Sequence, residues 1–210
     1  MSMPGAYRIL VLGIGNLLWA DEGFGVRCVE ALHRGWRFPA EVCLMDGGTQ
    51  GLYLLPYVQA AERLLVFDAV DYGDAPGTLR VVTDDAVPRF MGAKKMSLHQ
   101  TGFQEVLAAA ALTGRSPCAS TLIGVQPEEL EDYGGSLSPV VREKLPEALD
   151  VALRWLERWG AAGKKREKAE EAPPLTNAAL ALAAYEHGRP EAHLAWRKGD
   201  ARFLNARDET

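Results

Sequence analysis

Gly13-Ile14-Gly15-Asn16-Leu17-Leu18-Trp19-Ala20-Asp21-Glu22-Gly23-Phe24-Gly25 follows directly on the apolar run Ile9–Leu12. The order reads as a buried strand, a glycine-rich loop and a helix start, with two carboxylates in the loop. Open α/β sheets bind ligands just beyond the carboxyl ends of their strands, so a carboxylate here stands where chemistry can occur. The loop matches a dinucleotide-binding turn only in part. That fingerprint needs a third glycine three residues after the second, and Leu18 occupies the place. The Lys-Ser/Thr pair of a P-loop is missing as well. Asp46 ends the second apolar run, where a ribose-binding acid would sit, and this keeps a nucleotide reading open.

Outward from this loop, five strands are expected: Arg8–Leu12, Glu41–Met45, Arg63–Ala69, Thr78–Thr83 and Ser120–Val125. Four are nearly continuous apolar runs, the pattern of strands buried on both faces of a parallel sheet. Helical patterns alternate with them, at about Gly25–Arg34, Leu52–Gln59, Thr101–Leu112 and Pro139–Trp159. The alternation predicts an α/β fold, a three-layer α/β/α sandwich around a mixed, mostly parallel five-stranded sheet. Only Val70–Gly77 separates the third strand from the fourth, too short for a parallel crossover, so these two should form an antiparallel hairpin. Arg80 between Leu79 and Val81 suits the fourth strand to an edge.

The net charge of −5 argues against nucleic acid and anionic membranes as partners. Residues 1–159 carry 14 Lys/Arg against 20 Asp/Glu, and residues 160–210 carry 9 against 8, so the acidity belongs to the main domain. Three cysteines with no CxxC pair leave neither a zinc knuckle nor a thioredoxin-type site, and packing is the plainer role for each. No signal peptide precedes the first strand and no apolar run reaches membrane-spanning length, which predicts a cytoplasmic protein. Residues 1–160 read as one domain. Residues 161–210 read as an extension that begins with a charged, mobile linker over Gly160–Pro174, followed by a short helix within Thr176–His187.

Glu22, Asp68 and His99 are the candidates for chemistry. For Asp21-Glu22 the competing account is electrostatic, since carboxylates at a helix N-terminus are stabilised by its free amides. Gly23 and Gly25 weigh against that account, because glycines at a helix start cost stability and often admit a ligand. Asp68 closes Leu64-Leu65-Val66-Phe67, where an ionised carboxylate is expensive unless paired, hydrogen-bonded or metal-bound. His99 lies in a loop expected to open a helix at Thr101, near the same sheet edge, whereas His33, His187 and His193 sit at a helix end or in the extension. Two carboxylates and an imidazole suit a borderline divalent ion such as zinc or nickel, with positions left open for substrate. HExxH and GxSxG are absent. Asp46-Gly47-Gly48-Thr49 reads most simply as a glycine turn after a strand.

Taken together, Gly13-x-Gly15-Asn16-x-Leu18-x-x-Asp21-Glu22-Gly23-x-Gly25, Asp46-Gly47-Gly48-Thr49-x-Gly51, Asp68 and His99-Gln100 resemble the nickel-iron hydrogenase maturation endopeptidases. Asp46–Leu55, Met96–Gln100 and Asp132–Ser138 resemble the branch serving membrane-bound uptake hydrogenases. The resemblance covers about residues 7–159 and implies a metal-dependent endopeptidase. Its metal-binding and catalytic triad falls on Glu22, Asp68 and His99, with Asp46, Gly47, Gly48 and Thr49 in precursor recognition. It also implies that nickel is carried by the substrate, the precursor of the hydrogenase large subunit, from which a C-terminal extension is cut. Zinc or another divalent ion could stand in for the nickel in a crystal. Hydrogenase assembly chaperones are the further partners implied. The rival expectation is a nickel- or nucleotide-binding accessory protein that cuts nothing.

Overall fold

The computed structural model describes residues 7–91, 98–167, 172, 173, 175 and 177–188; the side chains of residues 89–91 and 98–101 lie outside that description. Strand β1, Ile9–Ile14, is buried at every position, as its unbroken apolar run requires. It pairs in parallel with β3, Val42–Gly48, on one side and with β4, Arg63–Ala69, on the other. Strand β6, Ala119–Val125, pairs in parallel with β4, and β5, Leu79–Thr83, pairs antiparallel with β6. The sheet order is β3-β1-β4-β6-β5. This is the expected mixed sheet with one antiparallel edge strand.

The expected hairpin between the third and fourth strands does not form, because β6 lies between β4 and β5. An inner strand must be apolar on both faces, and β6 meets this with Leu122 and Ile123 fully buried. In β5, Arg80 and Val81 are exposed, so β5 is left at the edge. The connection 70–78 arches over the carboxyl end of β6: Val70 N–H donates to Val125, and Gly77 N–H to Gln126. Gln126 Oε1 accepts from the backbone of Tyr72 at 2.7 Å and of Asp74 at 3.2 Å.

Period-two alternation divides the apolar side chains between two cores. Leu10, Leu12, Leu64 and Val66 face α2, Leu55–Ala60, and α4, Leu98–Leu112. Val11, Leu65, Phe67 and Ile123 face α1, Phe24–Gly35, and α6, Leu145–Arg158. Between β5 and α4 lies α3, Ala86–Met91. The helical pattern over Pro139–Trp159 is broken into α5, Pro139–Arg142, and α6. Pro146 in the first turn of α6 lacks the N–H that would continue the helix from α5.

The start of the extension is packed, contrary to the linker expectation. After α1, β2, Trp36–Arg37, pairs antiparallel with β7, Lys164–Lys165, and Arg166 N–H donates to Gly35 O. Farther on, a 3-10 turn, Ala178–Leu180, is capped by Asn177 and leads into α7, Leu182–Gly188. No helix among the described residues is long and apolar enough to cross a membrane.

From β1 the chain crosses to β3 through α1, then reverses over β1 to β4 through α2. The reversal falls between β1 and β4, at whose carboxyl ends a doubly wound sheet opens its crevice.

Candidate active site

Glu22 enters this crevice on a 3-10 turn, Ala20–Gly23, that packs against β4. The turn starts from a strained point, since Ala20 has a φ of 40°. Gly15 has a φ of 133°, and the carbonyl of Glu22 lies where its Cβ would be, so no side chain fits there. Gly25 plays a related part: a Cβ on it would strike the carbonyls of Ile14 and Phe67. The glycines therefore seat the start of α1 against the ends of β1 and β4. Close approach of backbone to backbone explains Gly25, in place of the expected approach of a ligand.

The adjacent carboxylates part company. Asp21 is fully buried and accepts hydrogen bonds from the residue 128–138 segment, while Glu22 is half-buried at the crevice. Asp68, also fully buried, is the penultimate residue of β4 and pairs in register with Gly124 of β6. Tyr72 was not foreseen. Its hydroxyl occupies the space a Cβ on Gly124 would need. Burial, then the nearby charge of Asp68, push its phenol well above the usual tyrosine range, so it stays protonated. Nothing in the sequence marks it, because its place depends on a glycine 52 positions later.

Helix α4 begins at Leu98, so His99 stands in its first turn and not in the loop before it; the His99 side chain lies outside the described residues. Because α4 leads into the amino end of β6, its N-terminus is at the carboxyl edge of the sheet. Gly51 and Gly102 hold it against the 3-10 turn Gly51–Leu54, a Cβ on Gly102 falling 3.2 Å from Gly51 Cα. Thus the fold gathers the Glu22 turn, Asp68 and the start of α4 along one edge. Among the described residues, no three His, Cys, Asp or Glu side chains form a metal-binding group.

Asp46 lies within β3 opposite Gly13, two residues before the strand ends at Gly48, so the strand runs on through the expected glycine turn. The Gly47 carbonyl accepts from Gln50 N–H, Gly48 takes a φ of 47°, and Thr49 is exposed. Asp46 Oδ1 is buried with no hydrogen-bond partner among the described residues. Burial pushes this carboxyl above the usual aspartate range; Glu30 adds to the effect, while the Gly48 backbone and Arg27 oppose it. A raised folded-state value means the ionised form is disfavoured in the fold. Its cost is present at neutral pH, fades as the pH falls through the raised folded-state value, and is gone below the ordinary aspartate value. Asp46→Asn is therefore expected to melt about 1–2 °C higher than the parent at about pH 7, with the gain vanishing towards about pH 3. Thermal melts across that range check it, and a variant less stable at neutral pH would contradict it.

A mixed, mostly parallel sheet with acidic side chains at its switch point defines an α/β protein with a crevice at the carboxyl ends of β1 and β4, and solved structures share this framework. The hydrogenase maturating endopeptidase HybD from E. coli superposes with a TM-score of 0.72 at 41% identity, covering 76% of this chain and 98% of that one. Among curated relatives, the hydrogenase expression/formation protein HoxM of Azotobacter vinelandii is 63% identical over 199 residues, 95% of each chain. The hydrogenase 2 maturation protease of Escherichia coli is 42% identical over 161 residues, 76% of this chain and 97% of that one. The family model of the hydrogenase maturation proteases (HycI) matches residues 26–155. The chain belongs to the hydrogenase maturation protease family. Its match to the Azotobacter protein, over 199 residues, takes in most of the C-terminal extension.

Proposed function

We propose that this protein is an endopeptidase that removes the C-terminal extension from the nickel-loaded precursor of a nickel-iron hydrogenase large subunit. The observation that carries the reading is the meeting of the Glu22 turn and Asp68 at the switch point between β1 and β4, on the edge where α4 begins with His99 in its first turn. Nickel belongs to the substrate. Held by precursor thiolates it is coordinatively open, and Glu22, Asp68 and His99 are the oxygen and nitrogen donors that complete it. Anchoring the substrate through its own metal places the scissile bond beside the protein's carboxylates, which turns cleavage into an effectively intramolecular event. Asp46, Gly47, Gly48 and Thr49 recognise the precursor: Asp46 keeps a buried, unsatisfied acceptor at a cost in stability, a pattern expected where function requires the group. The protein works in the cytoplasm, where unassembled precursor and its assembly chaperones meet it.

The test is the C-terminal mass of the precursor after incubation with the protein. Nickel-loaded precursor should lose its extension and nickel-free precursor should not. A non-cutting nickel carrier would bind loaded precursor and leave its mass unchanged, and that result removes the protease reading for this chain.

A further inference from the structure

The buried carboxylate of Asp21 serves no step above, yet it is among the best-held groups in the molecule. Oδ2 accepts from the backbone of Glu128 at 2.9 Å and Glu129 at 3.0 Å, and from Ser138 Oγ at 2.9 Å; Oδ1 accepts from Ser138 N–H at 2.7 Å. Ser138 stands at the N-cap of α5, where a hydroxyl ordinarily caps the helix; here it makes no cap and donates to Asp21. Asp21 N–H donates back to Glu129 O, and Trp19 bridges to Tyr133, so the turn and the 128–138 segment are bound at several points.

The C-terminal extension grips that same segment from outside. Ser136 Oγ donates to Glu186 Oε1 at 2.6 Å, Arg142 pairs with Glu186, and Tyr185 Oη donates to Gly135 O at 3.2 Å. On the other flank Arg27, only 4% exposed, donates to Leu180 O at 2.5 Å and to Glu30 at 2.8 Å, with Tyr185 over its guanidinium at 5.5 Å. Arg27 thus gives the extension a seat on the domain: Leu180 O and the Tyr185 ring complete the surroundings of a guanidinium otherwise paired with Glu30.

We propose that the C-terminal extension is a brace: through the 135–138 segment and Asp21 it fixes the turn that carries Glu22, making Asp21, Tyr185 and Glu186 positioning residues for the reaction. The consequence for catalysis rests on the role of Glu22 proposed above, whereas the mechanical link does not. Small displacements of a reacting group lower the rate steeply while leaving remote substrate contacts in place.

The experiment uses the full chain with Tyr185→Phe/Glu186→Ala, Asp21→Asn, all three together, and Glu22→Gln. Two quantities are read: amide hydrogen exchange over residues 20–23, and kcat and KM for nickel-loaded precursor. The extension pair should speed exchange in the turn roughly tenfold and lower kcat by about tenfold, with KM within about twofold of the parent. Asp21→Asn, which sets an amide N–H against N–H donors, should act in the same direction and more strongly. The triple variant should lose little more than Asp21→Asn, since coupled residues are not additive. Unchanged exchange and kcat in the extension pair overturn the brace, as does a raised KM with kcat intact, the signature of a precursor-docking arm. Parent-level cleavage by Glu22→Gln removes the role of Glu22, and the exchange data still judge the brace. Should Asp21→Asn fail to fold, the extension pair decides alone.

Discussion

Replacing Asp68 by asparagine is expected to lower cleavage of nickel-loaded precursor by roughly a thousandfold or more, within the range a lost acid–base or charged group costs an enzyme. The substitution keeps the shape of the side chain and one acceptor oxygen. It removes the negative charge and the second acceptor, which are what a cation or a migrating proton requires. Because Asp68 is fully buried, the neutral amide carries no charge-burial penalty, and the melting temperature should stay within a few degrees of the parent. Glu22→Gln and His99→Ala should show the same separation of activity from stability. Time courses of precursor mass, set beside thermal melts, check all three. Parent-level rates in Asp68→Asn would take this residue out of the mechanism.

The legible parts of this fold are those whose signal is local. Ile9–Ile14, Arg63–Ala69 and Ala119–Val125 announce themselves because burial on both faces demands unbroken apolar runs. Two of the three proposed triad positions, Glu22 and Asp68, reach the same crevice for a related reason. Strand ends are readable, and the winding of a parallel sheet brings them to one edge. What escaped is set by partners far away in sequence. Strand adjacency pointed to a hairpin, but the place beside β4 went to β6 because its apolar faces outcompeted those of β5. Asp21 and Glu22 look alike in sequence; the amides of Glu128, Glu129 and Ser138 decide which one is buried. Likewise Lys164-Lys165 reads as linker until Trp36-Arg37, more than a hundred residues earlier, supplies a backbone to pair with.

The glycines of α1 provide a sharp test of how the crevice is built, because intrinsic preference and packing oppose each other. Alanine is favoured over glycine inside a helix by about 1 kcal/mol, partly through the freedom it removes from the unfolded chain. Gly35, at the end of α1, has nothing within 4 Å of a would-be Cβ, so Gly35→Ala should be neutral or stabilise by up to about 1 kcal/mol. At Gly25 the same methyl meets the carbonyls of Ile14 and Phe67 and falls 2.9 Å from Ile14 N. Those atoms belong to the ends of β1 and β4, where Phe67 pairs with Gly13 and Ile14 with Gly48 of β3, and cannot retreat without disturbing both pairings. Relief must come from lifting the start of α1, which breaks its contact with Phe67 and drags the Glu22 turn away from Asp68. Gly25→Ala is therefore expected to cost about 3 kcal/mol or more, a fall in melting temperature of roughly 6–12 °C, with most of the cleavage activity lost. Urea and thermal unfolding of the two variants side by side check the contrast. Equal stability for Gly25→Ala and the parent would mean that α1 is not seated on the strand ends, and the crevice would then need another explanation.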